Sequence, residues 1–463
     1  MRVVSTTEQV VDAVQQAVRQ GKRIAVRSGG HCFEDFVDDH SVRVLIDLSP
    51  MTAVSYDPQR RAFAVEPGAS LGEMYRRLFL GWGVAVPAGA TAEVGVGGHI
   101  LGGGYGALSR RYGLGVDHLH AVEVVVVDKA GKARSVVATR DPGDPHHDLW
   151  WAHTGGGGGN FGIVTRYWFR SPGAKGSDPS RLLPRAPESA LTFSASWSWK
   201  DLDQRSFTRL VRNHGSWYER NSAPGSPYAG LFSVLMLNSR KAGTVDLVGQ
   251  VDSTGPGAQR LVDDYVAAVG GGVGARPGRS QVDQPWLQAA ATVQETPPAS
   301  FKAKAAYLRK RFTDRQTETI HQHLSGKEGG EISGSLWLVS YGGEVSTVAP
   351  EATAVAQRDS VLKAVYLTGW EPQDEPGPRL SWVRDFYRAV YADSGGVPVP
   401  GAVSDGSFVN YPDTDLADSS WNTSGTPWHT LYYKQHYPRL QRIKARWDPR
   451  NEFRHALSVR LPE

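Results

Sequence analysis

The chain has 463 residues, 40% of them hydrophobic, enough to bury a sizeable core and to form two or three structural units. Its 51 basic and 47 acidic residues leave a net charge of +4 with no long single-sign block, which argues against a nucleic-acid surface, and no apolar run approaches the roughly 20 residues of a membrane span. With Cys32 as the single cysteine no internal disulfide can form, so the redox compartment stays open.

Ser5-Thr6-Thr7-Glu8 reads as a capping box, and Val10, Val11, Val14, Ala17 and Val18 follow at helical spacing, predicting a helix over 5–20. Strand signals come at 23–27, 42–47 and 62–65, a helix at 71–80, and apolar strands at 122–127 and 163–169. This alternation reads as an α+β unit over 1–172. It lacks the usual dinucleotide architecture, since no G-x-G-x-x-G opens an early helix with an acidic residue about 20 positions on. A Pro-, Ser- and Gly-rich stretch at 171–189 marks a linker. Beyond it, strand-length runs at 192–199, 231–238, 245–252, 331–341 and 361–370 alternate with helical runs at 204–219 and 257–268. They predict a second unit over 190–405, an antiparallel sheet covered by helices on one face and free on the other.

Four segments carry the chemistry. The first, Arg27-Ser28-Gly29-Gly30-His31-Cys32, lies where a strand becomes a loop; its two glycines let bare backbone N–H groups approach a phosphate, and His31 can put a ring nitrogen on a bound cofactor. A tight turn with an ordinary surface histidine is the alternative. The second, from Gly95 to Gly106, has seven glycines among twelve residues and can wrap a pyrophosphate. The third is Trp151-Ala152-His153-Thr154, five glycines to Gly159, then Asn160-Phe161-Gly162-Ile163-Val164; the fourth is Phe408-Val409-Asn410-Tyr411-Pro412-Asp413, with Tyr437-Pro438-Arg439 and Trp447-Asp448-Pro449 after it. His146, His147 and His153 lie near Asp148 without any zinc spacing, so no metal is expected. Asn422-Thr423-Ser424 is a formal glycosylation acceptor read as chance, and 270–274 reads as a flexible turn.

In this order the four segments resemble the berberine-bridge-enzyme-like FAD oxidoreductases of the vanillyl-alcohol-oxidase superfamily, over about residues 3–461, and the wording is similar to that of actinobacterial oxidoreductases that tailor antibiotics. The resemblance implies a PCMH-type FAD-binding domain over 1–172, a substrate domain over 190–405, and a C-terminal segment, 406–463, that returns to the first. It implies FAD held covalently through His31, with Arg27, Ser28, Gly29 and Gly30 serving the pyrophosphate. Cys32, Thr91, Val94, Gly95, Gly97, Gly98, Gly102, Gly159, Gly162, Val164 and Asn410 are then cofactor-side residues. His99 matches a histidine near the flavin's pyrimidine edge, where a donor stabilises charge on the reduced ring; a structural histidine bonded to backbone is the alternative.

Tyr411 matches the family tyrosine that takes a proton from the substrate hydroxyl while hydride leaves for flavin N5. A free tyrosine titrates near pH 10, so a cation must lower it, and Lys363 is a candidate, with a solvated strand lysine as the alternative. Lys363, Val365 and Phe408 are taken as substrate-side residues. Two departures from the family stand out. Thr91 replaces a cysteine found in many relatives, leaving His31 as a single attachment point, and Phe408 replaces a second tyrosine. Val94 is the small β-branched residue that in the family accompanies reoxidation by O2. The implied reaction is oxidation of an alcohol in a natural-product or carbohydrate substrate to a carbonyl or lactone, with O2 giving H2O2. Oxidative cyclisation and a catalytically silent flavin carrier stay open. The expected partners are a small-molecule substrate and O2, in a monomer or weak homodimer. Family members carry a few tens of residues before the first helix, so the location reads as cytoplasmic or, with a leader removed, secreted.

Overall fold

The computed structural model describes residues 1–291 and 300–463 and contains three sheets. The first helix, Thr7–Arg19, starts on Thr6: its hydroxyl accepts from the Gln9 N–H, while the Gln9 side chain reaches back to the Ser5 N–H. The cap is thus one residue later than the sequence predicts and is not reciprocal, because the Gln9 side chain closes on Ser5 rather than on the N-cap Thr6. Val10, Val14, Ala17 and Val18 face inward from this helix onto a small parallel sheet of β1 (Arg2–Val3), β2 (Ile24–Arg27) and β3 (Val44–Asp47), ordered β1-β3-β2.

A second, antiparallel sheet holds β4 (Val54–Asp57), β5 (Ala62–Val65), β6 (Leu119–Val127), β7 (Ala133–Thr139) and β8 (Ile163–Phe169) in the order β4-β5-β8-β6-β7. β6 lies at the interior of this sheet with most of its side chains buried, which is why it reads as an unbroken valine run. β4 and β7 carry no such run and have no counterpart among the sequence signals.

The third sheet contains β9 (Ser189–Ser198), β10 (Leu231–Asn238), β11 (Thr244–Asp252), β12 (Gly278–Pro285), β13 (Ser300–Leu308), β14 (Gly334–Ser340) and β15 (Leu362–Trp370), all antiparallel, ordered β12-β9-β11-β10-β14-β15-β13. β14 begins later than predicted because Lys327–Glu331 is helical. The two edge strands escape the sequence reading: β12 is polar and exposed, and β13 is interrupted by Lys302 and Lys304, which are buried. Helices Gln204–Asn221, Ala258–Gly270, Asp314–Ser325 and Pro376–Val390 pack together over this sheet. Leu235, Leu237, Leu336 and Leu338 are fully buried, whereas their neighbours Val234, Met236, Trp337 and Val339 are half-buried on the opposite face.

The chain then runs back to the first two sheets. In helix Tyr437–Trp447, the fully buried Lys444 ammonium donates to Asp448, 2.6 Å away, to the Asn160 carbonyl at 2.6 Å and to the Phe453 carbonyl at 2.5 Å. This charge-assisted knot explains the Trp447-Asp448-Pro449 motif, since it fastens the tail to the loop after the five glycines. Among the described residues no helix is long and apolar enough to cross a membrane.

Burial holds His153, His214 and His455 neutral, with pKa values pushed down to about 4, about 3 and about 4 from 6.5. Below about pH 6.5 the unfolded chain therefore takes up protons that the fold refuses, and stability falls until about pH 4. Calorimetry is expected to show a lower Tm at about pH 5 than at about pH 7; an unchanged Tm would mean these rings protonate freely in the folded chain.

Candidate active site

β2 ends at Arg27, whose guanidinium pairs with Asp47, and the chain turns through Ser28, Gly29 and Gly30, the last at φ +76°. The turn lies directly on the second glycine segment. A Cβ on Gly29 would come 2.3 Å from the Gly95 nitrogen, and one on Gly95 would come 2.4 Å from the Gly29 nitrogen, so backbone packs on backbone. The Ser28 hydroxyl donates to the Pro67 carbonyl at 2.5 Å. His31 is exposed beyond this turn, with Nδ1 2.9 Å from the Gly29 carbonyl.

These segments border a cavity of about 440 Å3 that is also lined by Cys32, Thr91, Val94, Gly97, Gly98, Gly157–Gly159, Gly162, Val164 and Asn410. The amide of Asn160 shapes the third glycine segment by donating to the Gly156 carbonyl at 2.9 Å and the Gly157 carbonyl at 3.2 Å. Gly102 does not line the cavity. Its missing side chain makes room for Asn410, whose Oδ1 would lie 2.1 Å from a Cβ there. Asn410 in turn donates to the His99 carbonyl at 2.9 Å.

His99 makes the backbone bond of the structural alternative and also borders the cavity. Its Nε2 accepts the Gly89 N–H at 2.9 Å, a structural bond that requires the proton on Nδ1 and leaves that N–H as a donor. Burial, and then the nearby Lys363, push its pKa down to about 4, so the ring is neutral at neutral pH.

The opposite wall is the half-buried face of the third sheet. Phe232 and Val234 from β10 and Trp337 and Val339 from β14 line the cavity, with Val234 and Val339 paired in register. Tyr105, Phe408 and Tyr411 complete it. The Tyr411 ring stacks on Phe33 at 4.9 Å and 5° and meets Phe408 edge-on at 5.1 Å. Burial raises the Tyr411 pKa, and among the described residues its hydroxyl has no hydrogen-bond partner.

Lys363 is not the solvated strand lysine of the alternative reading. It is 3% exposed, and its Nζ, with no hydrogen-bond partner among the described residues, lies 3.5 Å from the Phe408 ring centre and 3.9 Å from that of Tyr105, with Tyr341 at 4.9 Å and Tyr307 at 5.0 Å. Burial drives its pKa well below 10.5, while the four ring faces offer the cation partial compensation. It sits behind Tyr105 and Phe408, and neither Lys363 nor the buried Val365 lines the cavity. Sequence reasoning missed the wall residues Tyr105, Phe232, Val234, Trp337 and Val339. For the strand residues the period-two alternation of β10 and β14 held the signal.

The site fits a flavin dinucleotide: three glycine segments expose backbone to a diphosphate, and aliphatic and aromatic walls flank them for ring systems. Two family models agree with this chemistry, the FAD binding domain over residues 2–135 and "Berberine and berberine like" over 407–460. The chain is 56% identical to the aclacinomycin-N/aclacinomycin-A oxidase of Streptomyces galilaeus, covering 99% of this chain and 84% of that one. It is 31% identical to the hexose oxidase of Chondrus crispus, covering 99% and 89%. Among solved structures it matches an aclacinomycin oxidoreductase with a TM-score of 0.98 at 57% identity, covering 99% of this chain and 94% of that chain. It matches a glycopeptide hexose oxidase complexed with teicoplanin with a TM-score of 0.95 at 53% identity, covering 99% and 92%.

Fold, glycine cradle and matches define an FAD-dependent oxidoreductase. The chain belongs to the berberine-bridge-enzyme-like family of FAD-linked oxidases, with actinobacterial antibiotic-tailoring oxidoreductases among its relatives.

Gly29→Ala forces the first two glycine segments apart, so in a His31→Ala background, where binding is reversible, FAD affinity is expected to drop at least about tenfold in a fluorescence titration, the order of effect expected from a backbone shift at a close contact. Undiminished affinity would show that this contact does not shape the cofactor cradle.

Proposed function

We propose that this enzyme oxidises a CH–OH group of a natural-product or carbohydrate substrate to a carbonyl or lactone, with FAD tethered through His31 alone and O2 as the final acceptor. The observation that carries the reading is Tyr411: it lines the cavity, stacks on Phe33 two residues from His31, and keeps a hydroxyl that no described protein group claims. Bound FAD supplies the two-electron acceptor. Tyr411 takes the proton of the substrate hydroxyl.

An unassisted buried phenol is a poor base, and burial here raises its pKa further. The help comes from Lys363, whose ammonium sits one ring behind the wall, against Phe408 and Tyr105. It is not in contact with Tyr411; burial favours its uncharged form, whereas negative charge developing on the tyrosine side of the cavity favours its ammonium, so a proton on Lys363 and a phenolate at Tyr411 support one another. His99 contributes its remaining N–H to charge that develops on the opposite side. Thr91 offers no thiol for a second attachment, and Val94 leaves room for O2. In this reading residues 1–172 hold the cofactor, 190–405 supply the substrate wall, and 406–463 bring the base, in a monomer or weak homodimer.

The relatives named for aclacinomycin, hexose and a glycopeptide support a sugar-bearing natural product. The wall of Phe232, Val234, Trp337 and Val339 suits a substrate with an aromatic or aliphatic portion beside the reacting carbon.

Anaerobic stopped-flow mixing with sugar and polyketide alcohols is expected to bleach the flavin with at least one of them, and no bleaching across the panel would overturn the reading. Tyr411→Phe should keep the flavin spectrum and slow reduction by about 100-fold or more, the usual worth of a positioned base; an unchanged rate would move proton acceptance elsewhere. Acid precipitation should leave wild-type protein yellow and one FAD heavier, while His31→Ala releases its flavin. Flavin that stays attached in His31→Ala would refute the tether.

A further inference from the structure

A buried ionic cluster joins the His31 loop to the Tyr411 loop through the edge strand β13. Lys302 reaches Glu34 at 2.5 Å and Asp413 at 3.0 Å; Lys304 reaches Asp413 at 2.6 Å and Asp415 at 2.8 Å; Arg384 closes on both Asp415 oxygens at 2.9 Å. Glu34 also accepts from the Thr414 N–H at 3.0 Å and the Thr414 hydroxyl at 3.2 Å. The two lysines are two residues apart on one face of β13, and the two aspartates have the same spacing, so the charges interleave. Three carboxylates meet three cations, which keeps the cluster neutral, and burial makes any loss of register costly.

Its place matters more than its strength. Glu34 is three residues from His31, Asp413 is two from Tyr411, and Phe33 is held between Tyr411 and Phe301 of β13, at 4.9 Å and 4.8 Å. His31 and Cys32 are themselves exposed, and the one hydrogen bond of the His31 ring among the described residues is to Gly29 in its own loop. The anchor that locates His31 across the cavity is therefore Glu34.

We propose that Glu34 and Lys302 are positioning residues that hold the His31 ring where it can couple to the flavin, an inference that rests on the tether reading above. Coupling joins a ring nitrogen of His31 to the flavin methyl carbon; each partner gives up one proton, and the two electrons pass into the flavin, from which O2 takes them as H2O2. Such a bond demands near-attack placement, whereas noncovalent binding is spread over the whole cavity. Loosening the anchor thus slows coupling far more than it weakens binding.

The test compares wild type with Glu34→Gln, Lys302→Met, Lys302→Arg and Arg384→Met, purified from the same expression. Total flavin is read by absorbance, and the covalent share by acid precipitation and intact mass, before and during incubation with added FAD. Expected are near wild-type total flavin in every variant and a covalent share or coupling rate lowered at least about tenfold in Glu34→Gln and Lys302→Met. Lys302→Arg should recover much of the coupling, and Arg384→Met, at the far end of the cluster, should couple as wild type does. Should Lys302→Met fail to fold, Glu34→Gln and Lys302→Arg decide. Normal coupling in Glu34→Gln, or equal loss in Arg384→Met, overturns the assignment while the tether stands. Wild type that never couples overturns the tether and the assignment with it.

Discussion

Everything in this site depends on one contact, the meeting of Gly29 and Gly95 with no side chain between them. It brings the end of a parallel strand against the start of helix Val96–Leu101 at a distance that only two glycines allow. From that seam one chain direction leads to His31, whose loop is anchored further on through Glu34, and the other leads to His99. Gly102 repeats the device on a smaller scale, since its bare backbone admits the Asn410 amide and with it the loop that carries Tyr411.

Charge is handled in two ways. Where the chain must be fastened, cations are buried with full partners: Lys444 knots the tail, and Arg358 meets both oxygens of Asp117 at 2.8 and 3.0 Å. Behind the cavity wall, Lys363 is buried with no such partner among the described residues, against ring faces alone. The sequence marks this contrast only indirectly, because a lysine in a strand reads the same whether it faces solvent or rings.

Much of the site was legible because it is written in glycine. The three glycine segments and the Asn410-Tyr411 pair border one cavity, and glycine density is a local property that one sequence displays. Five of the seven strands of the third sheet could be read for the same local reason, their apolar alternation. What could not be read depends on tertiary partners. β13 hid behind Lys302 and Lys304, whose burial follows from Glu34, Asp413 and Asp415 far along the chain. Gly102 looked like a cradle residue until Asn410 was seen to fill its space, and Lys363 and Val365 lie on the strand expected for them but one layer behind the wall. Asn422, a formal glycosylation acceptor, spends its amide on the Leu416 and Thr426 carbonyls at 2.9 Å each, a use that no tripeptide reveals.

The period of two in the third sheet has a further consequence. Along β10 and β14 each residue that touches the cavity alternates with one locked in the interior, so the lining and the core are encoded by interleaved but separate sets of positions. Val234 and Trp337 meet the cavity while Leu235 and Leu338 pack on the other face, and the Tyr411 loop comes from a different part of the chain. The shape of the cavity and the packing of the helix-covered core are thus set by different positions of the same strands, so the lining can vary largely independently of that core.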